Sequence, residues 1–246
     1  MRTVASTRLI VFGALFIAGG ALCLWRRPLL HLTAFGAWGG GNQQTIASVL
    51  RRYGPATRRT FEPICRAQKV AWPPQRIYLL AFKQERRLEV WGANADGPYR
   101  RLAVYPIRAA SGTLGPKRRQ GDLQVPEGFY RLPVLNPNSA YHLSIRVDYP
   151  SADDVRHSPV PTNQMGGDIY VHGSNVSIGC IALGDPAIEE VFCLVAQARR
   201  GERRILIAPV DFRDPAAGAR LPAPAEPWLR ERYARLKTSL AAKFRR

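Results

Sequence analysis

The sequence predicts a mostly β domain, a mixed β-sandwich or barrel-like fold with a few helices, carrying a hydrophobic anchor helix before it and a basic amphipathic helix after it. Three observations carry that reading. Short runs rich in β-branched and aromatic residues recur between residues 76 and 212, separated by polar turns. An uncharged apolar stretch stands near the N-terminus, and the closing segment spaces its apolar residues as a helix does. At 246 residues the chain can hold one full domain plus extensions.

Leu9–Trp25, LIVFGALFIAGGALCLW, is an apolar run with Arg2 and Arg8 before it and Arg26 and Arg27 behind it. It sits at the short end of the roughly 17–25 residues a membrane helix needs. Residues 1–27 are therefore expected to form an uncleaved signal anchor. The alternative is a signal peptide cleaved near Ala34-Phe35-Gly36, a weak site. Cys23 follows Leu22, where a lipoprotein cysteine needs a small residue, so it reads as a thiol within the span. Residues 28–44, centred on GAWGGGN, read as a linker, and His31 within them carries no signal. A helical lead-in over 45–74 begins with Ile46, Val49, Leu50 and Tyr53 at helical spacing, and Gly54-Pro55 is its expected stop.

The central domain is expected over 75–212. Its strands are RIYLLAF (76–82), RLEVWGA (87–93), YRRLAVYPI (99–107), GFYRLPVL (128–135), YHLSIRVDY (141–149) and RRILIAPVDF (203–212), with Asn136-Pro137-Asn138-Ser139 as a link. Asp185 is the expected N-cap of a helix with Pro186 in its first turn and Ile188, Val191, Phe192 and Val195 on its apolar face; Cys193 reads as a packed thiol within it. Residues 213–246 are a Pro/Ala-rich linker and then a helix whose Trp228, Leu229, Tyr233, Leu236, Leu240 and Phe244 share one face. That helix either lies on an anionic membrane surface or docks on its own domain.

The formal charge of +18 suits nucleic acid, anionic lipid or a carboxylate-rich polymer. No RNA-binding aromatic box, zinc finger or helix-turn-helix pattern accompanies it, so no nucleic-acid partner is expected.

The most informative segment is DIYVHGSNVSIGCIAL, residues 168–183. It places His172, Ser177 and Cys180 within nine positions, with Gly173 and Gly179 beside the reactive side chains. An imidazole can take the proton of a neighbouring thiol, and glycines let a scissile carbonyl approach the backbone. His-Gly followed by Ser-x-Gly-Cys resembles the active site of the L,D-transpeptidase (YkuD) catalytic-domain family. Upstream, SGTLGPKRRQGDLQVPEGFYRLPVLNPNSAYHLSIRVDYPSADDVRH (111–157) resembles its YafK-like branch, and IALGDPAIEEVF continues the pattern after the cysteine. The resemblance covers roughly 75–195. Two positions depart from the wider family: Ile178 stands within its usual Ser-His-Gly-Cys, and Ala182 where Arg or Asn follows the cysteine.

The resemblance implies a peptidoglycan-modifying enzyme in which Cys180 attacks an L,D-amide of a stem peptide to form a thioester, with His172 as its base. The acyl group then passes to an amine (transpeptidation, or attachment of a wall-linked protein) or to water. Backbone N–H groups around Gly179 and Cys180 would support the oxyanion, Ser177 would shape the loop or orient the imidazole, and Gly173 would give room. Lys117, Arg156 and His157 lie in the branch's motifs and either bind substrate carboxylates or fix loops, Asp122 standing beside Lys117. A zinc site from His172, Cys180 and Cys193 lacks paired-ligand spacing, so no metal or cofactor is expected. A wall-binding module without catalysis is the competing class. A periplasmic location on the membrane anchor is expected, or a secreted one after cleavage, and there Cys65 and Cys193 are available for an unwanted disulfide.

Overall fold

The computed structural model describes residues 43–221 and 224–245. The expected anchor at 9–25, most of its linker, Cys23, His31 and the cleavage site near 34–36 lie outside the described residues. Among the described residues no helix is long and apolar enough to cross a membrane.

The chain is mostly sheet with a few helices. Five strands, β1 (Arg76–Phe82), β2 (Arg87–Ala93), β3 (Arg100–Pro106), β4 (Gly128–Arg131) and β9 (Arg203–Ala208), form one sheet in the order β3-β2-β1-β9-β4. The other four, β5 (Leu135–Ser139), β6 (His142–Arg146), β7 (Tyr170–His172) and β8 (Ile181–Ala182), form a second in chain order. β1 pairs with β9 in parallel, and with β2 antiparallel.

Alternation along the strands explains how the five-stranded sheet is used. Ile77, Leu79, Ala81, Ile205 and Ile207 point into a core shared with Leu143, Ile145, Val171 and Ile181 of the second sheet. Tyr78, Leu80, Phe82, Trp91, Leu206 and Ala208 point the other way, into a separate cluster. A sheet covered on both faces needs apolar residues at every position, which is why RIYLLAF reads as a continuous run.

Two helices pack on the first core: α1 (Ile46–Ala67) and α3 (Asp185–Gln197). α1 runs well past the expected stop, with Pro55 and Pro63 inside it. Each internal proline removes one backbone hydrogen bond and costs about 3 kcal/mol or more. Tertiary packing offsets this, because Val49, Thr57, Phe61 and Cys65 recur on one face and are all buried. Asn136-Pro137-Asn138-Ser139, expected as a link, is most of β5, whose register shifts between Asn136 and Ser139. Short helix α2 (Ala152–Arg156) follows the expected strand 141–149 in a stretch assigned no element, and α4 (Pro215–Arg220) lies in the expected linker.

The closing helix α5 (Pro227–Lys243) docks on its own domain. Leu229, Tyr233, Leu236, Leu240 and the following Phe244 fill the second cluster. Of the two expected alternatives, docking on its own domain holds, and the apolar face that would have met an anionic membrane surface is covered by sheet. Arg232 is buried too, bonded to Asp154 at 2.9 Å and Asp153 at 2.8 Å on α2.

Candidate active site

The site is built on the parallel pair β7–β8, where Val171 lies opposite Ile181 and His172 opposite Ala182. Side chains alternate along a strand, so Cys180, one residue before β8, shares the side of the pair that carries His172. The loop between them folds back tightly. A Cβ on Gly173 would stand 2.6 Å from Asp185 Oδ1 and 2.8 Å from Tyr141 O, so a side chain has no room there. Gly179 has φ +128 and lies against Gln124 O, a conformation that glycine alone adopts freely. Asp185, expected as an N-cap, opens α3 behind the cap residue Gly184 and instead accepts the Ser174 N–H at 2.7 Å.

His172 is 2% exposed. Its Nδ1 lies 2.6 Å from Gly173 O. A carbonyl only accepts, so Nδ1 carries the proton and donates, which leaves Nε2 of the neutral ring with its lone pair. Tyr141 covers the ring at 4.7 Å between centroids. Burial lowers the imidazole's pKa, and the Gly173 bond opposes that in part.

The half-buried Cys180 donates its S–H to Asp168 O at 3.6 Å. Burial raises the thiol's pKa; the Tyr170 N–H lowers it, Asp168 raises it and the charge of Lys117 lowers it. Both shifts favour the uncharged forms, so the resting pair is thiol and imidazole rather than thiolate and imidazolium. Such a pair ionises when the proton moves, in the same step as attack.

The loop before β4 holds the nucleophile segment from the other side. Arg108 N donates to Ala182 O at 2.8 Å, and Ser111 Oγ lies 3.4 Å from Ser177 Oγ. The base of this loop is clamped by a buried ion pair that sequence reading missed. Lys83 Nζ meets Glu127 Oε1 at 2.9 Å, Gly115 O at 2.7 Å and Val125 O at 3.0 Å. Glu127 also accepts from Gly115 N at 2.8 Å and from Tyr233 Oη of α5 at 2.6 Å. The one sequence signal was a carboxylate inside the apolar stretch VPEGF.

The remaining expected residues fall as follows. Ser177 shapes the loop rather than the imidazole: its hydroxyl donates to Cys180 O at 2.7 Å and accepts the Gly179 N–H at 3.3 Å. That N–H, expected to face an oxyanion, is therefore turned to Ser177. Lys117 is buried and its ammonium is held by Arg119 O and Asp122 Oδ1, each at 2.7 Å. It is not presented to a substrate carboxylate and acts on the thiol through its field. Burial pushes the Asp122 carboxyl up, but Lys117 and three backbone N–H donors outweigh it and hold it below its usual value. His157 stacks on Trp228 at 4.7 Å and bonds Asp153 O, so it fixes α5. Arg156 is exposed, 3.7 Å from Asp153. Ala182 is fully buried in β8.

Cys65 and Cys193 are free and buried. Burial pushes each thiol up to about 11. Among the described residues no group of three or more His, Cys, Asp or Glu side chains could hold a metal ion.

Residues 76–207 match the model of the L,D-transpeptidase catalytic domain, YkuD. YafK of Escherichia coli (strain K12), provisionally an L,D-transpeptidase, is 36% identical over 138 residues, which cover 55% of this chain and 54% of YafK. The chain thus spans about half the length of the curated relatives it matches. Among solved structures, the helical cell shape determining protein Pgp2 of Campylobacter jejuni aligns at 27% identity over 54% of this chain and 46% of Pgp2, with a TM-score of 0.43. Bd1075 of Bdellovibrio bacteriovorus aligns at 23% identity over 57% and 50% of the two chains, with a TM-score of 0.40.

Proposed function

The chain belongs to the YkuD L,D-transpeptidase catalytic-domain family, and on that premise we propose that it is a cysteine acyltransferase acting on peptidoglycan stem peptides. The single observation that supports this most is the His172 tautomer. Its Nδ1–H is fixed by Gly173 O, so Nε2 is free to act as a base on the side of the β7–β8 pair that carries Cys180.

The step follows from those atoms. Nε2 of His172 takes the Cys180 proton as Sγ forms its bond to the carbonyl carbon of an L,D-amide. The tetrahedral oxyanion draws on backbone N–H groups of the nucleophile loop. Collapse breaks the C–N bond, and the imidazolium returns its proton to the leaving amine, which leaves a thioester on Sγ. A second stem's amine then attacks, His172 takes its proton, and the C–S bond breaks to restore the thiol. Ile178 and Val176 of the nucleophile loop are 78% and 50% exposed, apolar surface that we assign to the acceptor stem. We place the domain in the periplasm, held at the inner membrane by the 9–25 segment.

Incubating the protein with intact sacculi and defined muropeptides in ¹⁸O-labelled water, then weighing the products, tests the reading. New stem dimers are expected. Cleaved stems carrying one labelled oxygen would mean hydrolysis of the same thioester, and unchanged muropeptides would remove the enzymatic reading.

A further inference from the structure

The face of the five-stranded sheet turned away from the candidate active site carries a second feature. At the end of that face left open by α5, a cavity of about 590 Å³ is lined by Arg76, Tyr78, Tyr99, Phe129, Arg204 and Lys243. A neighbouring cavity of about 310 Å³ shares Tyr78, Phe129 and Arg204 with it and adds Arg131 and Asp148. The two form one groove across β1, β9 and β4.

Strand register explains why the charge collects there. Arg204 on β9 lies directly opposite Arg131 on β4 and opposite Tyr78 on β1, and Arg76 is two residues along β1 from Tyr78. Like charges placed directly opposite in a sheet are destabilising. Arg131 is relieved by Asp148 at 2.7 Å, and Arg76 by the carbonyls of Asn94 and Gly97. Arg204 has a long 3.4 Å bond to Gly201 O. Counting the lining of both cavities, Arg76, Arg131, Arg204 and Lys243 face Glu202 and Asp148, an excess of two positive charges. Beside these, Phe129 is 37% exposed and Tyr99 half-buried, so flat apolar surface adjoins the cations.

Cations beside aromatic faces suit a glycopeptide: sugar-ring C–H groups stack on the aromatics and the peptide's carboxylates pair with guanidinium groups. We propose that this groove is a second binding site, separate from Cys180, which holds a neighbouring glycan strand with its stem, sugar rings on the aromatics and stem carboxylates on the guanidinium groups, while the opposite face works on another stem. The ligand class rests on the proposed function; the site rests on the groove alone.

Full-length protein and its Arg204→Glu and Phe129→Ala variants are compared by co-sedimentation with purified sacculi and by turnover of a short soluble muropeptide, with Arg101→Glu on exposed β3 as a charge control. Retention on sacculi should fall about tenfold or more for Arg204→Glu and several-fold for Phe129→Ala, with turnover of the short muropeptide unchanged. Phe129→Ala keeps the test open if charge reversal disturbs folding. Unchanged retention in both variants would overturn the inference, as would an equal loss for Arg101→Glu, which would mean bulk charge alone. Loss of binding to anionic lipid vesicles with sacculus retention intact would overturn it in favour of a membrane surface. If no variant turns over muropeptide, wild type included, yet Arg204→Glu still loses sacculi, the catalytic reading fails while the groove stands.

Discussion

The β7–β8 loop and the α1–α3 helix pair each present thiols, and the contrast between them shows what makes one a candidate nucleophile. Burial raises the pKa of all three, Cys180 on the loop and Cys65 and Cys193 on the helices. Acidity therefore does not single out Cys180. Its neighbours do. Cys180 has the Tyr170 N–H, the Lys117 charge and a histidine base on the same side of a parallel pair, and it is half-exposed. Cys65 and Cys193 sit wholly within packed helix faces. Position beside a base and access to solvent separate them.

Removing the nucleophile is the largest expected effect. Cys180→Ala should lower turnover roughly 10⁴-fold or more, as loss of a nucleophile does, while Cys65→Ala and Cys193→Ala leave kcat intact; steady-state kinetics on a defined muropeptide compares the three. Replacing His172 by Ala should cost roughly 10²-fold in kcat. Equal losses from Cys65→Ala and Cys180→Ala would erase the contrast.

The pH profile sharpens it. His172 titrates below its usual range and Cys180 above its own, so the neutral pair persists between them. As pH falls through the lowered imidazole value, activity should fall, because the base becomes protonated. Between about pH 7 and 8.5 kcat/KM should be flat; a narrow bell in that window would mean a resting thiolate–imidazolium pair. Lys117→Met should move any alkaline limb to higher pH, since its charge favours the thiolate.

A smaller effect tests the clamp behind the loop. Tyr233→Phe removes a donor from buried Glu127 and should cost about 1–3 kcal/mol in thermal or denaturant unfolding. If Glu127 holds the loop, KM rises with it while kcat changes little.

Much of this was legible in the sequence because its cues are local. β1 and β2 fall on their predicted bounds: burial on both faces makes β1 an unbroken apolar run after Arg76, and β2 is apolar but for Arg87 and the buried Glu89. His172, Cys180 and the two glycines stand together in one short motif. What failed was non-local. The stop at Gly54-Pro55 is locally sound, and packing of Phe61 and Cys65 against the core overrides it. β8, two residues long, has no periodicity to read; it exists because it pairs in parallel with β7, and Ala182 also bonds Arg108 and Ala109 far upstream. Lys83 and Glu127 are 44 residues apart, and no spacing rule joins them. Lys117 illustrates the same limit: its charge was visible, but its burial against Asp122 was not.

Acyl transfer through Cys180 with His172 as base requires a covalent intermediate on one named sulfur, and that intermediate can be trapped. Protein mixed briefly with a stem-peptide substrate or a carbapenem, acid-quenched, and analysed by intact mass and peptide mapping should carry one acyl group. That group is expected on the peptide containing Cys180, absent in Cys180→Ala, and formed roughly 10²-fold more slowly in His172→Ala. An adduct on Cys65 or Cys193, or normal product formation by Cys180→Ala, would contradict it.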